Sequence, residues 1–437
     1  MPRSAVDSDG MMHASHPLPH LVGLGPDTLE PHAGFVVATG IECSAPTIEG
    51  GIRQDELRKT GHWDRYAEDF GLIREFGIRY LRYGIPFHVV AQLPRRFDWA
   101  WTDRALGALG TAELEPIADL LHFGVTDDLT GMGDPRLIER YARYVEAFVD
   151  RYPWVRYYTP VNEPLLTAVF SAGIGWWNER LRDQRALVHT IVNLATCAVL
   201  GMEIIRSRRP DAVFIQSEPC EVYIASEPAA QPGVEFLNER RFVEFDLTYG
   251  RRPADSVVGW LAKYGVDDDA FDWFAKHGSP ANCILGHDYY KGNEWVVAPD
   301  GSRTRSARAS ERLGYAALAR QYHERYGMPF MVSETNTAGP RATGWLAEIW
   351  NDAVALRAEG LPIRGFCWYG FVDHVDWDSG LRRNDGRPNS CGLVDLDRRA
   401  HRVGEIYRAL ALAARDGRVE AIAPTARHRR RAPERAA

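Results

Sequence analysis

Cysteine is scarce and unpatterned in this 437-residue chain: six residues, at 43, 197, 220, 283, 367 and 391, with no C-x-x-C pair among them. That leaves no thiol metal or redox motif. Cys197, Cys283 and Cys367 sit in apolar runs and read as small core residues. A reduced compartment is the simpler reading. Long apolar runs are also lacking, since no segment approaches the roughly 18 apolar residues of a membrane span. The N-terminus, Met1-Pro2-Arg3-Ser4 followed by polar residues, histidines and prolines, has no apolar core of signal-peptide length. The expectation is a soluble, cytoplasmic protein. No G-x-G-x-x-G or G-x-x-x-x-G-K-[ST] follows an apolar run, so a phosphate-cradling sheet lacks support. The formal net charge of −7 argues against a nucleic-acid partner. The basic cluster Arg427-His428-Arg429-Arg430-Arg431 reads as a solvated tail. His287 and Asp288 hint at a metal, but no second ligand cluster has metal spacing, so neither metal nor cofactor is expected.

What is present is strand–helix alternation. Residues 1–33 lack hydrophobic periodicity and read as a flexible leader. Apolar strands are expected at 35–41, 78–85, 116–123, 155–163, 211–216, 283–290, 330–334 and 363–371. Between most of them lie helical patterns. Tyr66, Phe70, Ile73 and Phe76 share one face, as do Leu137, Tyr141, Tyr144, Val145 and Phe148. Residues 219–280 are less regular and suggest short helices over one barrel end. Alternation argues for a parallel sheet, and eight repeats argue for an α/β single-domain (β/α)8 TIM barrel over 34–415, with 416–437 as a basic tail. An open doubly wound sheet is the runner-up.

In such barrels the active site lies at the C-terminal strand ends. The polar residues there are Glu42, Arg82, His122, Asn162, Glu163, Gln216, Glu218, Asp288, Tyr290, Glu334, Asp373 and Asp376. Glu163 ends the fourth strand and Glu334 the seventh, on roughly opposite sides of the barrel. A buried carboxylate is costly unless it is paired or used. Two that face each other across a pocket are what glycoside hydrolysis needs, one as acid and one as nucleophile or base. Each has a plainer reading as half of a structural ion pair. His122 taken alone reads as a core histidine, and Trp368 and Trp377 serve a core as well as a sugar face.

Six segments carry a resemblance. Tyr158-Thr159-Pro160-Val161-Asn162-Glu163-Pro164 resembles the T-F-N-E-P segment of glycoside hydrolase family 1, and Val332-Ser333-Glu334-Thr335-Asn336 resembles its T-E-N-G segment. His62-Trp63 through Glu68-Asp69 with Tyr80-Leu81-Arg82, then Leu121-His122-Phe123, are similar to its second unit and its Y-H-W. Trp368 and Asp373-His374-Val375-Asp376-Trp377, with one extra residue between them, resemble W-S-L-L-D-N-F-E-W, and Cys391-Gly392-Leu393-Val394-Asp395 follows. The likeness runs in order from about residue 35 to 412.

The resemblance implies a retaining β-glycosidase of β-glucosidase type, acting on a small-molecule or oligosaccharide glycoside without a cofactor. Glu163 would be the acid/base and Glu334 the nucleophile. Asn162 would hold the sugar 2-hydroxyl, and Arg82 and Tyr290 would hold and tune Glu334. His122, Trp368, Asp376 and Trp377 would line the glycone pocket. The chain departs from the family at Asp376 (usually Glu), at Asp288 (usually Asn), at Phe123 (usually Trp) and at the first strand end, which Glu42 occupies. A more acidic pocket leaves amino sugars and other polar glycones open. A transglycosidase using the same residues, and a non-catalytic sugar-binding barrel, are the alternatives. The oligomeric state is left open.

Overall fold

The computed structural model describes residues 34–94, 96–306 and 312–422. The expected leader (1–33) and the basic run at 427–431 lie outside the described residues. Eight parallel strands close into a barrel: β1 Val36–Ile41, β2 Tyr80–Gly84, β3 Glu115–Asp119, β4 Tyr157–Thr159, β5 Val213–Pro219, β6 Cys283–Asp288, β7 Phe330–Glu334 and β8 Ile363–Tyr369. Each is hydrogen-bonded to its sequence neighbours, and β8 pairs with β1. The expected barrel is therefore the observed one.

Strand alternation sorts side chains into two layers. Val36, Ala38, Tyr80, Ile117, Tyr157, Ile215, Ile284, Met331, Cys367 and Tyr369 fill the barrel interior. The alternate residues, Leu81, Ala118, Tyr158, Phe214, Leu285, Val332 and Trp368 among them, join the larger core between barrel and helices. The helix Arg136–Arg151 buries the expected face, Leu137, Tyr141, Tyr144, Val145 and Phe148. The irregular stretch resolves into four helices of six to ten residues, Gln231–Arg240, Val243–Thr248, Asp255–Lys263 and Asp268–His277.

Two expectations change. The helix Gln184–Arg208 is long and apolar enough to cross a membrane by length and composition, with a mean hydropathy of 1.6 over its best window. Its apolarity has a local cause, because 67% of that window is buried in the fold, where the helix packs on Arg136–Arg151 and Val243–Thr248. Two strands also stop short of their apolar runs. β3 ends at Asp119 and β4 at Thr159, so His122, Asn162 and Glu163 stand on loops beyond the ladder. All six cysteines are buried and unpaired.

Candidate active site

β4 leaves the barrel at Thr159 and the chain turns sharply. Glu163 takes a left-handed conformation (φ 40°) and immediately precedes the short helix Pro164–Ala168. The turn is held from both sides of the peptide. The Glu163 N–H donates to Ser217 O at 3.0 Å, and the Leu165 N–H donates to the Glu218 carboxylate at 2.7 Å. Glu218, among the expected strand-end residues, serves as this structural clamp.

Glu334 reaches the mouth by another device. Val332 faces the outer core, so Glu334, two residues on, would face outward in a regular strand. The β7–β6 register shifts between Val332 and Glu334, and such irregularities re-aim side chains at sites. Arg82 on β2 donates to Glu334 Oε1, and the Tyr290 hydroxyl donates to Oε2 at 2.6 Å. Arg82 also donates to Asn162 Oδ1, and to Asp119 Oδ2 at 3.1 Å. Asp119 holds His122 Nδ1 at 2.8 Å, and His122 Nε2 meets Asn162 Nδ2 at 3.0 Å. Arg82, His122, Asn162 and Glu334 thus form one buried network, joined by Asp119 and by the half-buried Tyr290. Asp119 falls inside the strand expected at 116–123, whereas the ladder ends on it. Its spacing of three before His122 at the strand end was the available clue.

In the closed ring β4 and β7 are separated only by β5 and β6. They are not opposite each other, and β6 brings Asp288 between them. Carboxylate oxygens of Glu163, Asp288 and Glu334 all lie within 4.8 Å of one another. Burial pushes Glu163 well above the usual carboxylate range, and the Asp288 and Glu334 charges add to it. Burial and Asp288 push Glu334 up to about 8, against the pull of Arg82 and Tyr290. The three carboxyls titrate as one system.

Other expected residues sit differently. Trp368 is fully buried in the outer core, its indole N–H on Cys391 O at 2.9 Å, because alternation along β8 turns it away from the barrel axis. Tyr369 takes the inward position. Its ring stacks near His122 (6.1 Å between centroids) and lies 5.5 Å from the Arg82 guanidinium carbon. Gly40 on β1 makes room for it, since a Cβ there would lie 2.1 Å from the ring. Asp376 is occupied as well. Lys59 Nζ donates to it at 2.8 Å, and the N–H groups of Gly386 and Arg387 at 3.1 and 2.9 Å. It anchors its own loop rather than presenting free oxygens to a sugar. Glu42 accepts the Ser44 N–H at 2.8 Å and lies 3.8 Å from His374 Nδ1. Trp377 is half-buried, edge-on to Trp177 at 6.1 Å.

Around Glu42 and Lys59, several buried polar atoms have no hydrogen-bond partner among the described residues: Ser44 Oγ, Gln54 Nε2, Glu56 Oε1, His374 Nε2 and Trp377 Nε1. Such atoms are expensive to bury unless something completes them. A groove of about 760 Å³, lined by Arg53, Asp55, His88, Gln92, Arg96 and Asp127, contains none of the converging carboxylates.

The structure also groups residues that sequence spacing did not. Cys43, Asp119 and His122, like the three carboxyls, lie close enough together to ligate a metal ion. The donor set fits poorly. Asp119 and Glu334 already hold the Arg82 guanidinium, and Asp119 also holds the His122 ring.

No protein-family model matches the chain. Beta-glucosidase 4 from Oryza sativa subsp. japonica is 30% identical over 394 residues, an alignment covering 74% of this chain and 79% of the rice protein. The chain belongs to the beta-glucosidase family. The barrel of this beta-glucosidase relative also superposes on solved beta-glucosidases from Thermotoga maritima. One, in complex with deoxynojirimycin, gives a TM-score of 0.73 at 15% identity over 86% of this chain and 97% of that one. Another, described as a family 1 β-glucosidase, gives 0.72 at 15% identity over the same shares. At that identity the likeness speaks for the fold. Membership places the chain among glycoside hydrolases.

Proposed function

We propose that this protein is a family 1 β-glycosidase that hydrolyses β-linked glycosides with retention. The observation that carries the reading is the proximity of Glu163 and Glu334, whose carboxylate oxygens approach within 4.8 Å. Retaining enzymes hold their carboxyls at about 5–5.5 Å, whereas inverting enzymes need about 6.5–9.5 Å to admit a water. In this reading Glu334 attacks the anomeric carbon while Glu163 gives its proton to the departing glycosidic oxygen. A water then attacks the same carbon, passes its proton to Glu163 and releases Glu334. Arg82 and Tyr290 supply donors to Glu334 and favour its ionised form. Asn162 and His122, tied together and to Arg82, are assigned to a sugar hydroxyl in this reading. The unpartnered donors and acceptors around Glu42, Gln54 and His374 support a hydroxyl-rich ligand on the β1–β8 side. T. maritima beta-glucosidase has been solved with deoxynojirimycin, and a sugar-like ligand for this chain is part of the same proposal.

The test is chemical rescue. Glu334→Gly abolishes hydrolysis of 2,4-dinitrophenyl β-glycosides, and added azide restores turnover with the inverted glycosyl azide as product. Undiminished hydrolysis by this variant would rule the reading out. A panel of gluco, galacto, fuco, xylo, manno and amino-sugar aryl glycosides, with the anomeric outcome read by NMR, identifies the glycone.

A further inference from the structure

Asp288 is fully buried at the end of β6, between the strands that carry Glu163 and Glu334. Both of its oxygens are held by hydroxyl donors. Ser333 Oγ donates to Oδ1 at 2.6 Å and Ser217 Oγ to Oδ2 at 2.5 Å. The sequence prepares this pocket on three strands. Gly286, two residues before Asp288, leaves the space that Ser333 Oγ occupies, since a Cβ there would lie 2.7 Å from that oxygen. Burial raises Asp288 above the ordinary carboxylate range, and Arg82 and these two hydroxyls pull it back toward the charged form.

The groups facing the site can be counted. Arg82 comes from β2, Asp119 and His122 from β3 and its loop, and Glu163 from the β4 loop. Glu218 comes from β5, Asp288 from β6 and Tyr290 from the loop after it, Glu334 from β7, Cys367 and Tyr369 from β8, and Glu42 and Cys43 from the end of β1. Arg82 is the permanent cation of this set, and its donors go to Glu334, Asn162 and Asp119. Three carboxyls this close cannot all be ionised in a buried site. Hydroxyls and Arg82 favour the charged forms of Asp288 and Glu334, whereas burial and the neighbouring Asp288 and Glu334 charges favour the neutral form of Glu163. The shared proton belongs on Glu163.

Resting on the reading of Glu163 as acid/base, we propose that Asp288 is a positioning residue whose charge disfavours a second charge on Glu163 throughout the catalytic cycle, in the covalent intermediate as well as before it. With only two carboxyls, bonding of Glu334 to the sugar would remove the charge that raises Glu163 and free it to act as a base. Here Asp288 remains charged after Glu334 is esterified. Glu163, left ionised by the first half, is then reprotonated from solvent and must lose that proton before it can act as a base, so hydrolysis of the glycosyl-enzyme becomes the slow half of the cycle. In the first half the C1–O bond to the leaving group breaks as C1–Glu334 forms, with the Glu163 proton going to the leaving oxygen. In the second, Glu163 returns the solvent proton, the water oxygen bonds C1, C1–Glu334 breaks, and the water proton passes to Glu163.

Three readouts test this. The basic limb of kcat/KM against pH for an aryl β-glycoside moves down by about one unit in Asp288→Asn. The unaltered protein is expected to give a pre-steady-state burst of aryl alcohol, and the burst shrinks in that variant. An unmoved basic limb in a folded Asp288→Asn protein overturns the proposal. The third readout leaves Asp288 in place. The Glu163 carboxyl is followed by ¹³C NMR in glutamate-labelled protein, with its resonance assigned through Glu163→Gln. After trapping with 2,4-dinitrophenyl 2-deoxy-2-fluoro-β-D-glucopyranoside, the Glu163 titration falls by less than about one unit. A collapse to the ordinary glutamate range on trapping overturns the proposal. If no adduct forms on Glu334 and azide rescues nothing, it is the glycosidase reading that fails. The Glu163 titration in free wild type against Asp288→Asn still decides the role of Asp288.

Discussion

Adjacent aromatics on β8 illustrate how one position of strand phase separates a core residue from a site residue. Trp368 packs between barrel and helices, and Tyr369 lies inside with Arg82 and His122. Trp368→Ala therefore costs about 3–5 kcal/mol of unfolding free energy by cavity formation, measured in urea, with KM little changed. Tyr369→Leu removes the ring facing Arg82. The expected loss is in kcat/KM, roughly tenfold if about 1.4 kcal/mol of cation–π and packing support is withdrawn. The two variants should fail in opposite assays. Composition could not distinguish them, because either aromatic suits either layer. A count of alternation from Cys367, together with Gly40 on the neighbouring strand, was the information that did. Glu163 and Glu334 were legible because each ended an apolar run in a costly carboxylate. Asp119 was not, because its run of apolar neighbours hid where the ladder stopped. The engagement of Asp376 by Lys59 depends on residues 317 positions apart, beyond any local pattern.

At the scale of elements, sequence periodicity located all eight strands and most helices, since alternation and the 3.6-residue repeat are properties of a single segment. It did not reveal the segments just past the strands, where non-local bonds replace the ladder. The turn after β4 is the case that matters. Glu163 is placed by Ser217 O and by the grip of Glu218 on the Leu165 N–H, both from β5. Glu218→Ala leaves that N–H buried without an acceptor, at a cost of about 1–3 kcal/mol. It also loosens the helix that Glu163 introduces, so kcat should fall more than KM rises. Glu218→Gln keeps an acceptor oxygen and should retain most of the stability. Equal loss in the two variants would show that the charge of Glu218, and not its bond to Leu165, is what counts.

Across the whole molecule, closure joins the first unit to the last. β1 pairs with β8, the Tyr407 hydroxyl of the last helix donates to Ala38 O at 2.6 Å, and residues Glu420 and Ile422 bond the helix Ala342–Ala358 through Trp350 and Asn351. A further tie is electrostatic. Asp69, on the helix after β1, accepts Arg398 Nε at 2.7 Å and Nη2 at 2.9 Å and holds His62 Nδ1 at 2.7 Å, all of it buried. Burial pushes Asp69 up, but His62 and Arg398 outweigh it and hold it below the usual range. A carboxyl whose folded value lies below its unfolded value stabilises the fold above the unfolded value. That contribution is lost as pH falls through the folded value. Arg398→Met removes the cation and leaves Asp69 buried beside His62 alone. The expected cost at neutral pH is about 3–5 kcal/mol. Without Arg398 the Asp69 value rises, so acid unfolding begins at higher pH than in the unaltered protein. Urea melts at pH 7 and a circular-dichroism titration from pH 7 to 2 measure both effects. A variant with unchanged acid midpoint would show that the barrel is closed by its β1–β8 ladder and apolar core, with the buried pair contributing nothing net.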